Sequence, residues 1–432
     1  MAKTDKELSM KACELEPITY LCIASEFNLV EFEACLAVRP GDLVLIVSSF
    51  DKAQKAAKRL ESALEHALPG IRIHRPDTDA PFDGEMILEV QAWINSTLKP
   101  YLQQHTPVEN QQVLNFTGGT KALSMALLTT LDCARLHYKG IGQNRIQILE
   151  RQDSQWVATP EPLEPVTASP LEVARLYAGN VRITEGLREQ SQLAAPLARQ
   201  IWHSLTVQDK GLLQLFNGLE LIWSKGRGNP EYQRARLELP LSRFLQTETP
   251  LPSTLNWIKQ LSALSPHSLT LESGHLTLPG NSPRKPASKY LRKWICGEWL
   301  EELVFQWLRD GGIPEAHMAR GVVVSDTRSR FSESGREADL FVHHNGQSSV
   351  VEIKADLPPG SDVRSMEQQL SSLGDRYGKT RKVLFVGPEL QQKLKREKYW
   401  DAFNARFQGS GITLCSDQPT LLQAFGLIAH ER

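Results

Sequence analysis

Hydrophobic and polar positions follow two different periods along residues 18–150. Short apolar runs rich in β-branched residues are typical of strands, and six of them lie at 18–24, 42–48, 71–75, 111–116, 134–138 and 145–150. Amphipathic stretches with a helical period separate the first five runs, at 27–38, 51–67, 84–104 and 120–133. This alternation predicts a Rossmann-like, doubly wound α/β sheet of mostly parallel strands, in which ligands bind beyond the carboxyl ends of the strands.

A proline-rich link at 159–170 ends this first unit, and a less regular middle segment follows. Helical periods lie there at 171–178, 190–204, 208–225 and 253–263, and two short strand candidates lie at 268–273 and 275–280. Helices followed by a terminal hairpin predict a small connector module that resembles a winged helix.

A third unit begins after a second linker at 281–288. A strong amphipathic helix at 289–310 comes first. Strand-like runs then lie at 321–326, 337–344, 348–355 and 381–387, and helical periods lie at 361–374 and 389–403. Asn345-Gly346 is a favoured hairpin turn. The predicted element order is αβββαβ with a tail, and the predicted domains are 1–160, 171–280 and 287–432.

The composition is typical of a globular protein, and the net charge of the whole chain is close to zero. The 432 residues are 41% hydrophobic and carry a net charge of −1, which excludes attraction of the whole molecule to nucleic acid or to a membrane surface. Residues 1–150 hold 15 basic and 19 acidic side chains (net −4), whereas residues 281–432 hold 22 and 19 (net +3). This mild asymmetry permits a polyanion-binding C-terminal unit.

Cysteine usage and hydropathy indicate the compartment. The six cysteines are scattered and form no CxxC pair, and the sequence has neither a signal peptide nor an apolar span of 18 residues. These features predict a reduced, cytoplasmic protein that does not enter a membrane.

Three acidic side chains and one lysine lie on two adjacent strands of the predicted hairpin. Glu337 and Asp339 share one face of the first strand, and Glu352 and Lys354 share one face of the second, because side chains alternate along a strand. If pairing aligns these faces, the four groups converge. Carboxylate oxygens suit Mg²⁺ or Mn²⁺, which acidifies a bound water and neutralises a scissile phosphate. Lys354 would orient that water or stabilise the oxyanion.

Flanking helices offer further candidates for this catalytic site. Glu301 on the helix at 289–310 is a possible third acid, whereas Glu302 points about 100° away around the helix. The alternative for either residue is a solvated helix charge. Gln368 or Gln369, on the helix after the lysine, would also reach the site. The predicted metal ligands are Asp339, Glu352 and Glu301.

The stretch NFTGGTKALSMAL at 115–127 ends a strand, passes two glycines and opens a helix. It lacks the GxxxxGK[ST] spacing of a P-loop, so a nucleotide triphosphatase is not predicted. Glycines before a helix N-terminus expose backbone N–H groups to an anion, and Thr117, Thr120 and Lys121 add donors and charge. The alternative is a simple helix cap, with the glycines in a tight turn and a threonine as the N-cap residue.

These motifs resemble two known families. Asp339 followed by a 12-residue gap and Glu352-x-Lys354 resembles the D-x(n)-(D/E)-x-K signature of PD-(D/E)xK, restriction-endonuclease-like nucleases. NFTGGTKALSMAL in a Rossmann-like unit is similar to the CARF sensor domains of CRISPR-associated proteins. GEWLEELV at 297–304 followed by EAD…VEIK resembles the nuclease half of one CARF subgroup. The chain therefore resembles the ancillary nucleases of type III CRISPR systems, which combine both domains in one chain.

The resemblance implies a homodimer that binds a cyclic oligoadenylate, most often cyclic tetra-adenylate (cA4), on its two-fold axis. The bound ring would act as an allosteric activator of metal-dependent cleavage of DNA, RNA or both. The implied activator contacts come from the loops after the first, second and fourth strands. They are Ser25, Glu26, Asn28, Ser48, Ser49, Thr117, Gly118, Gly119, Thr120 and Lys121.

Two other functions remain open at this point. A ligand-responsive regulator would bind nucleic acid through the middle module and keep the hairpin as an inactive nuclease fold. A ring nuclease would degrade the activator within the first unit, although no clear general base lies beside Lys121 in the sequence.

Overall fold

The computed structural model describes most of the chain. The described residues are 16–76, 82, 84–139, 145–153, 155–164, 166–178, 180–184, 193–223, 236–247, 249–264, 269–279, 291, 293–325, 336–355, 363–376 and 380–428. They form three sheets, of seven, three and six strands, each packed with helices. The predicted α/β fold class is confirmed.

The N-terminal unit alternates strands and helices as its sequence predicts. Its elements are β1 (Glu16–Ala24), α1 (Leu29–Val38), β2 (Pro40–Val47), α2 (Asp51–Ala67), β3 (Arg72–His74), α3 (Ile87–Trp93), a π-helical turn (Ile94–Leu98), α4 (Lys99–His105), β4 (Gln111–Asn115), α5 (Lys121–Thr130), β5 (Arg135–Tyr138), β6 (Gln147–Gln152) and β7 (Gln155–Ala158). The predicted helix at 84–104 is interrupted by the π-helical turn, and β7 is a strand that the hydrophobic pattern did not predict.

Strand order places a topological switch point within this sheet. The order is β3-β2-β1-β4-β5-β6-β7, and the five strands from β3 to β5 are parallel. The chain runs outward in one direction from β1 to β3 and in the other from β4 onward, so β1 and β4 flank the topological switch point. Ligands of open α/β sheets bind outside the carboxyl ends of the strands at such a point.

The middle segment has the element order of a winged helix. Its elements are α6 (Pro170–Ala178), β8 (Asn180–Ile183), α7 (Ala194–Thr206), α8 (Lys210–Trp223), β9 (Arg236–Pro240), α9 (Leu241–Leu245), α10 (Pro252–Leu264), β10 (Thr270–Glu272) and β11 (His275–Pro279). The three last strands form an antiparallel sheet in the order β10-β11-β9. The run from α8 to β11 is therefore helix, strand, two helices and a two-stranded wing.

The C-terminal unit contains the predicted αβββαβ order. Its elements are a π-helical turn (Trp294–Glu298), α11 (Trp299–Asp310), a short 3₁₀ turn (Glu315–His317), β12 (Met318–Ser325), β13 (Arg336–His344), β14 (Gln347–Lys354), α12 (Val363–Arg376), β15 (Thr380–Val386), α13 (Pro388–Arg396), α14 (Trp400–Gly409), β16 (Ile412–Cys415) and α15 (Gln418–Ala424). The predicted helix at 389–403 is two helices, because Lys398 adopts a left-handed conformation (φ 58°) that ends the first.

One strand of the C-terminal sheet comes from a distant part of the chain. The sheet order is β16-β15-β14-β13-β12-β8, and β8 pairs antiparallel with β12 through Val322 and Ile183. Residues 180–183 belong to the segment that the sequence assigned to the connector. The C-terminal sheet therefore begins before the winged-helix elements and is completed after them.

A single apolar core connects the first sheet with the last. Phe32 of α1, Leu60 of α2, Val173 of α6, Val322 of β12 and Phe341 of β13 are all buried in it. Helix α6 packs against α2 on one side and against β12 and β13 on the other. The two sheets thus share a layer of helices. Within the part of the chain that the structure describes, no helix is long and apolar enough to cross a membrane.

Two helical glycines allow a matched test of this packing. A Cβ on Gly218 in α8 would lie 2.9 Å from the carbonyl oxygen of Phe244, whereas a Cβ on Gly409 in α14 would meet nothing within 4 Å. Gly218→Ala should therefore destabilise the protein by about 1–3 kcal/mol through overpacking. Gly409→Ala should be neutral or stabilise it by up to about 1 kcal/mol through helix propensity. Urea denaturation of both variants measures this difference, and equal midpoints would contradict the packing described here.

Candidate functional site

The β13–β14 hairpin brings Asp339 and Glu352 together at one end of the C-terminal sheet. Asn345 and Gly346 both have positive φ, 51° and 70°, as the predicted two-residue turn requires. The register pairs Leu340 with Val351, so Asp339 and Glu352 lie one step further from the turn on each strand. The backbone N–H of Ile353 donates to Asp339 Oδ2 at 2.7 Å. This bond fixes the Asp339 carboxyl against the Glu352–Lys354 segment.

Several charged groups act on one another at this point. Burial raises the pKa of Asp339 well above its ordinary value, and the negative charges of Glu352 and Glu301 raise it further. Lys354 and the Ile353 N–H oppose this shift but do not cancel it. Burial and the neighbouring acids therefore disfavour the ionised form of Asp339, and added positive charge would favour it.

Lys354 remains a cation in this environment. Burial alone would lower the pKa of its amine, but the carboxylates of Glu352 and Asp339 outweigh that effect and raise the pKa. Its ammonium donates a hydrogen bond to Glu352 Oε1. The other oxygen, Glu352 Oε2, is buried and makes no hydrogen bond within the described residues. The lysine thus satisfies half of the Glu352 carboxylate and leaves the other half open to a ligand.

Helix α11 contributes Glu301 but not Glu302 to this cluster. The charge of Glu301 acts on both Asp339 and Lys354. Glu302 is instead buried on another side of the helix, where it forms an ion pair with Arg320 and accepts a hydrogen bond from Gln306 at 2.9 Å. The helical offset expected from the sequence is therefore present, and Glu301 is the residue that faces the hairpin acids.

Gly387 shows why α11 can come so close to the end of β14. Its N–H donates to the carbonyl of Lys354 at 2.8 Å. A Cβ at this position would lie 3.0 Å from Leu300 of α11 and 3.2 Å from the backbone of Ala355. A glycine therefore lets the start of α11 pack directly over the strand ends that carry the cluster.

Three candidates lie apart from the cluster. Glu337 is exposed and accepts a hydrogen bond from Thr184 Oγ1 at 2.6 Å, just after β8. Gln368 and Gln369 both have exposed side chains on α12. The structure therefore brings Asp339, Glu352, Lys354 and Glu301 together and does not bring Glu337 to them.

The cluster offers oxygen donors to a metal ion but is not arranged around one. Among the described residues, no group of three or more His, Cys, Asp or Glu side chains is already arranged to hold one. The Lys354 ammonium is paired with Glu352 Oε1, so this oxygen is not available to a metal ion. The open, buried Glu352 Oε2 and the crowded carboxyl of Asp339 nevertheless provide the hard oxygen donors that Mg²⁺ and Mn²⁺ prefer.

The second candidate region is the loop between β4 and α5 of the N-terminal unit. Gly119 has a φ of 83°, and a Cβ there would lie 2.6 Å from Ile23 of β1. A Cβ on Gly118 would collide with the carboxylate of Glu31. Both glycines are therefore required by close packing of the loop over the end of β1, whatever the loop binds.

The threonines of this loop have structural partners. Thr120 is the N-cap residue of α5, because its hydroxyl accepts a hydrogen bond from the Leu123 N–H at 3.1 Å and donates one to the Gly84 carbonyl. Thr117 Oγ1 accepts from the Lys139 N–H at 3.0 Å. Lys121 is exposed at the first position of the helix. The helix-cap interpretation is confirmed for Thr120, and Lys121 is the charge that the loop presents to solvent.

The loops after β1 and β2 lie at the same edge of the sheet. Asn28 is buried and its side chain accepts the Ser25 N–H at 2.7 Å, so it holds the first loop rather than facing solvent. Glu26 is exposed and lies 3.6 Å from the Lys52 ammonium. In the second loop, Ser49 N–H donates to Phe82 at 3.0 Å. A Cβ on Gly84 would lie 3.6 Å from Ser48 and 3.8 Å from Thr120, so the loop after β2 neighbours the β4–α5 loop.

Two buried acids beneath these loops were missed from the sequence. Glu31 and Glu33 lie on α1, each only 2% exposed. Burial raises the pKa of Glu31 to about 8, against the opposing charge of Lys139. Burial acts the same way on Glu33, but hydrogen bonding from His343 and the charge of Lys139 lower its pKa. The available signal was two acids inside the apolar run LVEFEACLAV at 29–38.

Comparison with known proteins places the whole chain in a known fold. No protein-family model and no curated protein sequence matches it. Can2 from Sulfobacillus thermosulfidooxidans, solved in complex with cyclic tetra-adenylate, aligns over 95% of this chain and 99% of its own, with a TM-score of 0.58 and 14% identity. Protein VC1899 from Vibrio cholerae aligns over 94% of this chain and 96% of its own, with a TM-score of 0.63 and 15% identity. The chain shares the fold of Can2 and VC1899.

A third solved structure is a type III CRISPR defence DNA nuclease activated by cyclic oligoadenylate. It aligns over 88% of this chain and 47% of its own, with 16% identity and a TM-score of 0.46. A score at that level supports no inference about this chain.

Glu31 makes the stability of the protein depend on pH. Its pKa rises from 4.5 to about 8 on folding, so the folded state holds this proton more tightly than the unfolded chain. Its contribution to stability is therefore largest at low pH and is lost as the pH rises between those two values. Between about pH 6 and 8, wild type should lose about 1–3 kcal/mol relative to Glu31→Gln, which cannot ionise.

Urea denaturation at several pH values checks this expectation. Glu65→Gln, a change at an exposed position of α2, serves as the control and should follow the wild-type curve. Parallel stability curves for wild type and Glu31→Gln would show that Glu31 does not carry this proton.

Proposed function

We propose that the protein is a cytoplasmic, metal-dependent nuclease of type III CRISPR antiviral defence, activated by a cyclic oligoadenylate. The observation that carries the proposal is the cluster of Asp339, Glu352, Glu301 and Lys354 at the end of the hairpin, in which Glu352 is buried and the other three are half-buried. The charges of Glu352 and Glu301 and the burial of the site raise the pKa of Asp339, and a divalent cation would favour its ionised form.

The residues that would hold Mg²⁺ or Mn²⁺ are Asp339, Glu352 through its open oxygen, and Glu301. A bound ion of this kind supplies an acidified water and positive charge at the scissile phosphate. Lys354 has a raised pKa and keeps its proton at neutral pH. Its role in the D-x(n)-(D/E)-x-K arrangement is therefore to stabilise the negative charge that develops on the phosphate, rather than to remove a proton from water.

Two features of the N-terminal unit support a cyclic tetra-adenylate site. The loop at 117–121 lies at the topological switch point, where α5 directs the backbone N–H groups of its first turn and the exposed Lys121 outward. Can2, which shares this fold, was solved in complex with cyclic tetra-adenylate. The phosphates of the ring would lie on this loop, with the Ser25–Asn28 and Ser48–Ser49 loops on either side.

Exposed apolar side chains at the same edge support a homodimer. Met86, Ile87 and Leu88 are 57%, 45% and 79% exposed where α3 begins, and Met125 is 52% exposed on α5. Helices α3 and α5 pack together, so these side chains lie on adjoining elements. A second copy would cover them. A ring with two-fold symmetry would then contact the same loop from each protomer in an isologous interface.

The winged-helix order of the middle segment favours one other function. A ligand-responsive regulator would use that module to bind nucleic acid without cutting it. Salt-dependent retention of duplex DNA on a gel, with no cleavage when Mn²⁺ and cyclic tetra-adenylate are both present, would support the regulator and contradict the nuclease.

Cleavage should require the hairpin cluster. With Mn²⁺ and cyclic tetra-adenylate, wild type should cut supercoiled plasmid or labelled single strands of DNA or RNA, and should cut them little without the activator. Asp339→Asn and Lys354→Ala should each reduce the rate at least about 100-fold, because the first weakens the hold on the metal ion and the second removes positive charge beside the developing phosphate charge. Asp401→Asn, at an exposed acid of α14, should retain the wild-type rate. Wild-type cleavage by Asp339→Asn would exclude this site as the nuclease centre.

Binding of the activator should depend on Lys121. Lys121→Ala removes the exposed charge at the start of α5 and should weaken the Kd for cyclic tetra-adenylate by about tenfold or more, since hydrogen bonds to charged groups contribute roughly 1.5–3 kcal/mol. Isothermal titration calorimetry measures this change, with Lys58→Ala on α2 as a charge-matched control. Equal affinities of the two variants would place the ligand elsewhere.

A further inference from the structure

A buried ionic cluster joins the N-terminal sheet to the hairpin that carries Asp339 and Glu352. Its members are Glu33 of α1, Lys139 directly after β5, and His343 of β13, and their side chains are 3%, 7% and 0% exposed. Glu33 Oε2 lies 2.8 Å from the Lys139 ammonium, and Glu33 Oε1 lies 2.9 Å from His343 Nε2. The contact between Glu33 and His343 bridges residues 310 positions apart in the sequence.

This cluster is an ionic contact within an apolar interface. Burial would raise the pKa of Glu33, but His343 and Lys139 lower it, so the carboxylate stays ionised. Phe32 of α1 and Phe341 of β13 are buried in the surrounding core. Apolar side chains of similar volume stabilise such an interface equally well or better. The hydrogen bonds of Glu33 are directional, unlike apolar contacts. They therefore favour a single position of α1 relative to β13.

On the side of the N-terminal unit, the cluster reaches the β4–α5 loop. The backbone N–H of Lys139 donates to Thr117 Oγ1 at 3.0 Å, and Thr117 is the first residue of the loop at 117–121. The N–H of the preceding Phe116 donates to the carbonyl of His137 at 3.2 Å. A ligand that repositions this loop therefore acts on the same residue, Lys139, whose ammonium holds Glu33.

On the side of the C-terminal unit, the cluster reaches the candidate nuclease centre. His343 Nδ1 lies 2.9 Å from Ser348 Oγ, and these two residues are directly opposed in the β13–β14 register. Asp339 and Glu352 lie four residues from His343 and Ser348 on the same two strands. Paired strands shift as a unit, because their ladder hydrogen bonds resist local slippage. A displacement of His343 therefore changes how Asp339 and Glu352 face Glu301 of α11.

We propose that the Glu33–His343 contact is the positioning link by which occupancy of the β4–α5 loop controls the geometry of the hairpin acids. The link runs from Thr117 through Lys139, Glu33 and His343 to Ser348. This inference rests on the proposed function, since it needs both a ligand at the loop and a reaction at the hairpin. Glu33 and His343 act through other residues and are positioning residues. Coupling between two sites requires an element whose position both sites influence, and this link supplies one.

The test compares activation with ligand binding in matched variants. His343→Phe keeps a ring of similar size and removes both hydrogen bonds, while Glu33 retains Lys139. Asp42→Asn is the control, because Asp42 is a buried carboxylate held by Arg72 at 2.6 Å and His74 at 3.0 Å at the opposite end of β2 from the loops. For each protein, calorimetry gives the Kd for cyclic tetra-adenylate. Cleavage assays with Mn²⁺ give the ratio of the rates at saturating ligand and without ligand.

His343→Phe and Glu33→Gln should lower the activation ratio by about tenfold while the Kd stays within about threefold of wild type. Asp42→Asn should keep both quantities. Ser348→Ala leaves the contacts of Glu33 with Lys139 and His343 intact. It should therefore lower the activation ratio less. The double variant His343→Phe/Ser348→Ala should be no worse than His343→Phe alone, because both changes break the same link. The Ser348→Ala measurement decides the question if the substitutions at 33 and 343 prevent folding.

Other outcomes separate the link from the proposed function. A wild-type activation ratio in His343→Phe and Ser348→Ala would overturn the link and leave the proposed function in place. Loss of ligand binding together with activation would also overturn it, because Glu33 and His343 would then serve the binding loop alone. A wild-type protein that cleaves nucleic acid equally with and without ligand would instead refute the activation on which the proposal rests.

Discussion

The shared layer of helices between the two large sheets is the constraint on which the rest of the molecule depends. Strands of a parallel sheet are buried on both faces and need a helical cover on each side. Here α1, α2 and α6 cover the first sheet, and the same apolar core continues onto β12, β13 and β14. Neither sheet can shift against this layer without disturbing the other. The loop edge and the hairpin acids are therefore positioned by one packed body rather than by two units on a flexible tether.

Within that layer, two acids of the same helix have opposite protonation states. Glu31 and Glu33 are equally buried, but only Glu33 has hydrogen bonds from both a lysine and a histidine. Its carboxylate is ionised, whereas Glu31 has a pKa of about 8 and is mostly protonated at neutral pH. At Asp339 the neighbouring acids Glu352 and Glu301 add to the effect of burial and raise the pKa further. Local partners, rather than depth of burial, decide where the molecule holds its internal charge.

The features that the sequence predicted are local or periodic. Alternating strands and helices, the Asn345-Gly346 turn and the Glu352-Ile353-Lys354 strand all follow from short-range pattern, and Glu301 follows from its helical offset. Contacts between distant elements were not predictable in this way. No period of the sequence links Glu33 to His343, assigns β8 to the last sheet, or gives the Thr117 hydroxyl to Lys139. The hydrogen bond from Thr184 to Glu337 is likewise a contact between distant elements that no local pattern indicates.

The position of β8 makes the winged-helix module an insertion within a discontinuous domain. Along the chain, the edge strand β8 comes first and the module follows it. Helix α11 and strands β12–β16 then complete the C-terminal unit. The module is consequently anchored at both of its ends to the same sheet. A fragment starting near residue 287 would lack α6 and β8 and would expose the backbone of β12 as an open edge, a surface that recruits other chains and promotes aggregation. The C-terminal sheet therefore includes residues that precede the module, and the unit boundaries in space differ from those along the chain.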